Sequence, residues 1–264
     1  MKLLSELPIY LLASRNDIAG MNILNFLATE LQKKVIVVNN DSIHSDEEIK
    51  NRISSKSMII FLSRHSARSL RPSFTVHPIG NFGTASFGGR DATLIECSSF
   101  LLKKLLLSIK EFLQSKNYKL NYNYEYSLEV THHGPFSNNP ILFIEVGSSE
   151  AQWKDLEACR MIAEVVNHVW LKNFEQPKEW ISAIGFGGNH YANKFTKLVL
   201  KTENAIGHIC AKYALSSLNT ELINQMIMKT IPKPRIAFFD KKSMKRKQEI
   251  KQMLSAFDIE VIQI

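Results

Sequence analysis

The histidines of this chain are the side chains best able to do chemistry near neutral pH, as acids, bases or metal ligands. His168 lies in an amphipathic helical pattern and His44 in the acidic stretch NNDSIHSDEE, so both are expected on helix faces. The other six stand beside glycine, proline or short polar residues at predicted strand ends and loops, where open α/β sheets collect ligand groups. These candidates are His65, His77, His132, His133, His190 and His208.

The segment THHGPFSNNPILFIEVGS, residues 131–148, joins two adjacent histidines to an embedded acid. On a regular strand the side chains of His132 and His133 would face opposite ways. The Gly134-Pro135 break supplies a turn that lets both rings point into one cavity. Glu145 lies inside a very apolar run, and a buried carboxylate needs a metal, a histidine N–H or an arginine as its partner.

Zinc is one chemistry that these residues support, since neutral imidazole and carboxylate are its standard ligands. Three protein ligands and a water make a catalytic site, in which the metal lowers the pKa of the water toward about 7. The sequence has no H-E-x-x-H or H-x-H spacing, so two other interpretations stay open. One is a metal-free hydrolase with a histidine as general base, and the other is a set of hydrogen-bonded structural histidines.

Glycines accompany two of the candidate histidines. His190 follows Gly187 and Gly188 directly after a predicted strand, and His208 follows a single glycine. Glycine allows close backbone approach, and the N–H groups at 187 and 188 could donate to an oxyanion. The glycine-rich segment GTASFGG, residues 83–89, lacks the spacing of a phosphate-binding loop and is expected to be a flexible loop at a pocket mouth.

Basic side chains occur in two segments that could meet phosphates. Residues 64–90 are too long and polar for a simple connector and predict a functional loop. Residues 241–251, KKSMKRKQEIK, predict a basic helix that could contact a nucleic-acid backbone. Solvated surfaces explain both segments equally well. The arginines of the first segment are Arg64, Arg68, Arg71 and Arg90.

The elements that must position these groups alternate between short apolar runs and helical patterns. Strands are predicted over 8–14, 33–39, 57–63, 123–133, 140–148, 179–186, 196–202, 235–240 and 259–264. Helices are predicted over 21–32, 93–114, 151–172, 219–230 and 243–257. Continuously apolar strands in this order favour an α/β fold with a mostly parallel or mixed central sheet and helices on both faces, in one compact domain over residues 1–264.

Composition narrows the class of protein. The net charge is +8, with 33 Lys+Arg against 25 Asp+Glu, which suits a polyanionic partner such as nucleic acid. The three cysteines are widely spaced, which argues against a disulfide framework and favours a reducing, cytoplasmic compartment. Glu6 and Pro8 interrupt the apolar N-terminus, which therefore predicts a first strand and not a signal peptide. No run is long and apolar enough to span a bilayer.

Seven motifs, taken together, resemble the archaeal and plant type of D-aminoacyl-tRNA deacylase. THHGP (131–135) and GGNHY (187–191) are the most specific, and the matches run in order from the N-terminus to about residue 210. The others are ASRNDIAGMNI, SRHSARS, VHPIGNFGTASFGG, EVGSSEAQW and GHI.

The resemblance implies an enzyme that hydrolyses the ester between a D-amino acid and tRNA and so recycles the tRNA. It also implies zinc dependence and a core similar to those of peptidyl-tRNA hydrolases and purine nucleoside phosphorylases. Broad amino-acid tolerance is expected because the reactive bond is common to all charged tRNAs. Discrimination must then rest on chirality, through a wall that rejects the L side chain. A monomer is the expected oligomeric state.

The site that follows is a hypothesis with three parts. The catalytic residues are His132, His133, His190 and Glu145. The zinc ligands are drawn from His132, His133, His190 and His208. The substrate contacts are Asn81, Gly83, Gly187, Gly188, Asn189, Tyr191, Arg64 and Arg90. The alternatives are a peptidyl-tRNA hydrolase, a nucleoside phosphorylase-like enzyme and a non-catalytic RNA-binding module.

Overall fold

A computed structural model describes residues 7–171 and 177–264. Within these ranges the chain forms fourteen strands: β1 Ile9–Ser14, β2 Val35–Val38, β3 Met58–Ser66, β4 Ser73–Pro78, β5 Gly80–Asn81, β6 Thr93–Leu94, β7 Cys97–Ser98, β8 Glu125–Leu128, β9 Ile141–Ser148, β10 Ile181–Phe186, β11 Asn204–Cys210, β12 Thr230–Ile231, β13 Ile236–Phe239 and β14 Glu260–Gln263.

The same ranges contain nine α-helices: α1 Ile18–Asn25, α2 Thr29–Gln32, α3 Asp46–Arg52, α4 Ser99–Gln114, α5 Glu150–Trp153, α6 Leu156–Leu171, α7 Asn193–Lys201, α8 Thr220–Met228 and α9 Lys247–Leu254. Local chemistry sets several of their starts. Asp17 caps α1 and Ser98 caps α4, because each side chain accepts a backbone N–H of the first turn. Ser149 and Gln152 form the predicted capping box before α5.

A six-stranded mixed sheet forms the centre, in the order β2-β1-β3-β9-β4-β8. Every neighbouring pair is parallel except β4 and β9, which run antiparallel. The register places Ser63 of β3 and Thr75 of β4 on either side of Glu145 in β9. Side chains from three successive strands therefore meet around that carboxylate.

Both faces of this sheet are covered by helices, as the apolar runs predict. On one face, alternate strand residues such as Ile60, Leu62 and Ile144 pack in the core that includes α1, α4 and α6. On the other face, Phe61 and Phe143 stack with ring centroids 4.6 Å apart, in a core that includes residues of α3. The predicted α/β class with a central mixed sheet is thus confirmed.

A second sheet of four parallel strands follows the order β11-β10-β13-β14. Its apolar side chains pack against α8 and α9 in a core of their own, which includes Phe186, Phe239, Ile223 and Ile250. The C-terminal end of β10 leads directly into the Gly187-Gly188 segment and His190. The second sheet therefore supplies one wall of the site.

The strand prediction over 196–202 is wrong, because residues 196–201 belong to α7 and Thr202 follows its last turn. The apolar run TKLVLK resembles a strand locally, but Phe195, Thr196 and Val199 are the buried positions, which is a helical spacing. The strand lies just beyond, in β11, and carries His208.

Residues 64–90 are not the loop that their polarity predicts. β3 continues to Ser66, and β4 lies buried between β8 and β9. Its polar residues, Thr75 and His77, are inside the protein because they face the carboxylates of the site. The helix predicted from residue 93 begins at Ser99, since 93–94 and 97–98 pair as short strands.

Several element boundaries differ from their predictions. The strand predicted over 123–133 is a regular strand only from Glu125 to Leu128, and His132 makes an isolated parallel bridge with Ile79. The helix predicted over 21–32 divides into α1 and α2, and the one over 151–172 into α5 and α6. Residue 172 and residues 1–6 lie outside the described residues. None of the helices in the described ranges combines the length and apolar character needed to span a membrane. That residues 1–264 form one domain stays a prediction.

Candidate active site

Three neighbouring strands hold one half of the site, which we call the strand half: His65, Thr75, His77 and Glu145. The Nδ1 atom of His65 lies 3.3 Å from Glu145 Oε2, and the Nε2 atom of His77 lies 3.7 Å from Glu145 Oε1. The Thr75 hydroxyl donates to Glu145 Oε2 at 3.0 Å. The acid embedded in the apolar run of β9 is therefore partnered by histidines and a hydroxyl, as burial requires.

The other half of the site comes from irregular segments after β8 and β10, and we call it the loop half: Glu129, His132, His133 and His190. Glu129 is fully buried, and its Oε2 atom lies 3.7 Å from His132 Nε2 and 3.6 Å from His190 Nε2. His65 Nδ1 lies 3.1 Å from Glu129 Oε1 and links the two halves. Even so, neither oxygen of Glu129 accepts a hydrogen bond from any described residue.

The adjacent rings of His132 and His133 enter the same cavity. Their centroids lie 4.4 Å apart with planes at 72°. His133 has a positive φ of 47°, so the chain leaves the extended geometry that would separate the two side chains. A Cβ atom at Gly134 would lie 2.3 Å from Gly89 N and 2.5 Å from Gly88 C, so only glycine permits this backbone contact.

Three imidazoles share one mode of anchoring, with Nδ1 against a backbone carbonyl. The distances are 3.2 Å from His77 to Pro78 O, 2.7 Å from His132 to Val130 O and 2.5 Å from His133 to Gly134 O. An Nδ1–H that donates to a carbonyl leaves Nε2 as the free acceptor or ligand atom. The Nε2 atom of His77 is buried and has no hydrogen-bond partner among the described residues.

Charge divides the two halves. Burial alone would lower the pKa of His65, but the hydrogen bond to Glu145 and the charge of Glu129 raise it to about 10. Glu145 and Glu129 likewise raise the pKa of His77 against the effect of burial. Burial would raise the pKa of Glu145, but the neighbouring imidazoles of His65 and His77 lower it. The strand half therefore holds a protonated His65 beside the ionised carboxylate of Glu145.

The loop histidines have the opposite character. Burial and the neighbouring imidazoles His133, His77 and His190 hold the pKa of His132 well below its usual value. Burial and the charge of His77 lower the pKa of His133 to about 3, although Glu145 opposes the change. Both rings are therefore neutral at pH 7, which is the state that accepts a proton or binds a metal.

The two halves open into a cavity of about 740 Å³. This is the size of a site for a small-molecule or nucleotide-like ligand. Its lining brings together eight of the residues that the sequence nominates, namely Arg64, His65, Asn81, Gly83, His132, His133, Glu145 and His190.

Comparisons with known proteins agree with this geometry. The family model of D-aminoacyl-tRNA deacylase matches residues 53–262, which include every residue of both halves. The chain belongs to the D-aminoacyl-tRNA deacylase family. The family name describes hydrolysis of an aminoacyl-tRNA ester, so the predicted enzyme class, a carboxylic ester hydrolase, is confirmed.

Three archaeal relatives carry the name D-aminoacyl-tRNA deacylase. The protein from Thermococcus onnurineus is 34% identical, covering 93% of this chain and 94% of the relative. That from Methanosarcina barkeri is 32% identical over 99% and 92%, and that from Archaeoglobus fulgidus 37% identical over 75% and 67%. A crystal structure described as a conserved protein of unknown function, AF0625, matches with a TM-score of 0.85 and 30% identity over 98% of this chain and 95% of the other.

Several nominated residues of this deacylase family member lie outside the cavity lining. The N–H of Gly187 donates to Cys210 O at 2.8 Å, and that of Gly188 donates to the Ser243 hydroxyl at 2.7 Å. The expectation that these amides face an oxyanion is wrong, because both are already occupied. Asn189 does not line the cavity, and its carbonyl accepts the N–H of Ala192.

Tyr191 and Arg90 are also placed differently from a direct substrate contact. Tyr191 lies behind the site, where its hydroxyl is 3.0 Å from His65 Nε2. It therefore supports a histidine of the strand half. The guanidinium of Arg90 lies 3.5 Å from the centre of the Phe136 ring, in a separate polar groove.

His208 does not join the cluster. Its ring is fully buried, with Nδ1 3.1 Å from the Thr131 hydroxyl. Burial and the charge of Lys229 lower its pKa to about 3. Among the described residues, none of the groups whose ligand atoms approach within 4.8 Å includes His208. Those groups are His77–His132–His133, Glu129–His132–His190 and His65–Glu129–Glu145.

Glu129 is the residue that sequence reasoning missed, although it touches four histidines of the site. The signal was available, because Glu129 stands between Leu128 and Val130, an acid within an apolar run, as Glu145 does in its own strand. Asp17 was also missed. It is buried at the cavity wall and accepts from Gly20 N, Arg64 N and the Ser63 hydroxyl, and burial raises its pKa against these bonds.

The donor set fits a metal ion. His77, His132 and His133 form a three-imidazole group whose Nδ1 atoms are already held by backbone carbonyls, and hydrogen bonds of this kind orient zinc-binding histidines. The orphaned oxygens of Glu129 lie beside this group and add negative charge where a cation would bind.

Proposed function

We propose that this chain hydrolyses the ester bond of D-aminoacyl-tRNA, giving free D-amino acid and tRNA, with tolerance for many amino acids. One observation carries the proposal. The neutral imidazoles of His132 and His133 line one open cavity together with His190 and Glu145, and the buried carboxylate of Glu129 lies 3.7 Å from His132 and 3.6 Å from His190. The cavity volume of about 740 Å³ exceeds what an aminoacyl group alone requires, so a terminal nucleoside fits beside it.

His77, His132 and His133 would hold zinc in this proposal. When bound, zinc lowers the pKa of a water and polarises a carbonyl oxygen. His190 then serves as proton acceptor, paired with Glu129 at 3.6 Å. Compared with the hypothesis from the sequence, this assignment adds His77 to the zinc ligands and removes His190 and His208.

The ester bond breaks in two steps that conserve the proton. The water oxygen attacks the carbonyl carbon while His190 accepts the water proton, and Glu129 stabilises the resulting imidazolium. The tetrahedral intermediate then collapses. The bond between the carbonyl carbon and the ribose oxygen breaks, and that oxygen takes the proton from His190.

The strand half sets the field around these groups. His65 lies within reach of both Glu129 and Glu145, so its positive charge offsets two buried carboxylates. Two contacts hold His65 in place. The Tyr191 hydroxyl lies 3.0 Å from its Nε2 atom, and its backbone carbonyl accepts the Trp153 indole N–H at 2.8 Å. Arg64, Asn81 and Gly83 at the cavity wall are the proposed contacts for the terminal adenosine and the aminoacyl group.

Hydrolysis of D-Tyr-tRNA against L-Tyr-tRNA tests the proposal directly. The D isomer is expected to be hydrolysed at least about tenfold faster, a difference of roughly 1.4 kcal/mol in barrier. A strong chelator should abolish the activity and added zinc should restore it, with metal analysis as the check. Equal rates on the two isomers would refute D-specificity, and full activity in chelator would leave a metal-free general-base mechanism. A monomeric state and cytoplasmic localisation stay predictions.

A further inference from the structure

A second groove adjoins the active-site cavity and shares a residue with it. The groove has a volume of about 420 Å³, and Tyr213 lines both it and the cavity. No acidic side chain lines this groove. We call it the lysine groove, and its lining residues are Lys212, Tyr213, Lys242, Ser243, Met244 and Lys245.

The lysines of this groove carry free positive charge. Lys212, Lys242 and Lys245 are exposed, and none forms an ion pair with a described acidic residue. Two neighbouring basic residues, Arg246 and Lys247, are occupied instead. Arg246 donates to the carbonyls of Leu215, Ser216 and Leu218 and pairs with Glu249, and Lys247 donates to Gln263. Within the 241–251 segment, Lys242 and Lys245 therefore line the groove with positive charge that no described carboxylate pairs with.

Tyr213 presents an aromatic surface at the boundary between groove and cavity. The cavity is lined by four aromatic side chains other than histidine, and Phe82 and Phe143 among them are buried. Tyr213 and Phe87, in contrast, are 60% and 69% exposed. Exposed aromatics beside basic side chains are the arrangement that binds single-stranded nucleic acid, because bases stack on the ring while lysines meet phosphates.

The floor of the groove is joined to the segment that carries His190. The Ser243 hydroxyl accepts the N–H of Gly188 at 2.7 Å, and Gly187 approaches the same serine. A single-stranded nucleic acid bound in the groove would therefore lie against the segment that holds the proposed proton acceptor, His190. This continuity favours a ligand that reaches from the groove into the cavity.

We propose, on the basis of the proposed function, that the lysine groove binds the phosphates of the single-stranded 3′ end of tRNA and that Tyr213 stacks on one of its bases. The terminal ribose then enters the cavity with the ester. Phosphate contacts and stacking read no sequence, which suits an enzyme that must accept the common 3′ end of every tRNA.

Fluorescence anisotropy with an uncharged RNA minihelix that ends in CCA tests the phosphate contacts. The triple variant K212Q/K242Q/K245Q should bind more weakly than the unaltered chain. The slope of log K against log salt should fall in size by about 2, at roughly 0.7 per single-stranded phosphate. The control K33Q/K34Q/K178Q removes three exposed lysines that line none of the cavities described. Equal slopes in the two variants would overturn the proposal.

Tyr213 is tested by two substitutions and two RNAs. Tyr213→Ala should weaken binding of the CCA minihelix by about 5- to 100-fold, and Tyr213→Phe should keep the affinity because the ring remains. With a minihelix that lacks the three 3′ nucleotides, the Ala variant and the unaltered chain should bind equally. An identical loss on both RNAs, or no loss on either, would refute stacking on the 3′ end.

Turnover separates this proposal from the proposed function. A chain that binds the minihelix but does not hydrolyse D-Tyr-tRNA would overturn the function and not the groove. An active chain whose triple lysine variant keeps the original KM and salt slope would overturn the groove and not the function. A raised KM with unchanged kcat in the triple variant is the expected result, because the lysines bind substrate without touching the reacting bond.

Discussion

The strand half and the loop half of the site differ in what holds them and in what they can reach. His65, His77 and Glu145 are buried on adjacent strands and fixed by the register of the sheet. His132 and His190, at the same carboxylate cluster, are 24% and 38% exposed and lie on irregular segments. The sheet thus supplies the permanent charges, and the loops supply the imidazoles that meet substrate.

Protonation follows the same division. Carboxylates raise the pKa values of the strand histidines, whereas burial and neighbouring imidazoles lower those of His132 and His133. A cluster of one residue type therefore holds two charge states at one pH. Substitutions in the loop half should change activity with little loss of stability, and those in the strand half should change stability first.

Replacement of His132 should have the largest effect on activity, because its ring belongs to both ligand groups that contain loop histidines. His132→Ala should lower kcat/KM by about 10⁴-fold, roughly 5.5 kcal/mol of barrier, and reduce bound zinc. Metal analysis and single-turnover deacylation measure the two effects. His44→Ala, an exposed histidine that does not line the cavity, is the control and should change neither. An active His132→Ala enzyme would show that the loop half is not the reacting half.

His190 should give a smaller loss of a different kind. His190→Ala is expected to lower kcat by about 10³-fold with zinc content unchanged, because the residue transfers a proton and does not bind the metal. If zinc is lost with His190, the ligand group is Glu129–His132–His190 and the proton acceptor lies elsewhere.

Glu145 tests the strand half. Glu145→Gln leaves the buried rings of His65 and His77 without one of their carboxylates, so the free energy of unfolding should fall by about 3 kcal/mol. Urea unfolding at pH 7 measures it. Glu125→Gln is the matched control in a neighbouring strand segment, since that side chain is 70% exposed, and should change stability by less than about 0.5 kcal/mol. A Glu145 variant as stable as its control would mean that the ion pairs do not hold the strand half together.

The smallest effect concerns His208, a histidine outside both halves. Its pKa is about 3 in the folded chain and near 6.5 unfolded, so the unfolded state binds the extra proton between those values. Stability should therefore fall as pH drops below 6.5, by on the order of 2 kcal/mol at pH 5. His208→Asn should flatten this acid dependence and leave zinc content unchanged, as thermal unfolding from pH 7 to 5 would show. An unchanged pH dependence would mean that other groups cause the acid sensitivity.

Much of the fold could be predicted because apolar runs report burial directly. The runs at 57–63 and 140–148 are strands at the centre of the sheet, as their β-branched composition indicates. Prediction from the local sequence pattern failed where contacts with the rest of the chain determine the secondary structure. The run at 196–202 has strand-like composition but packs as a helix, and β4 was hidden because its Thr75 and His77 are polar for a buried strand.

The site was predictable in part for a related reason. Motifs around His132, His133 and His190 drew attention to residues that do lie together. Glu129 stands between Leu128 and Val130, which hints at burial, but one sequence does not show that four histidines lie around it. The roles of Gly187 and Gly188 were misjudged because the sequence does not show which backbone amides are already occupied.

The contact of Gly134 with the backbone at 88 and 89 has a consequence for how this site can change. Two stretches of main chain that are distant in sequence touch there without any side chain between them. The backbone itself therefore sets the positions of His132 and His133. Any side chain larger than the hydrogen atom of glycine at position 134 would push these two stretches apart and displace the rings of His132 and His133. In a library of random variants, position 134 should accept no replacement even where the cavity wall around it tolerates many.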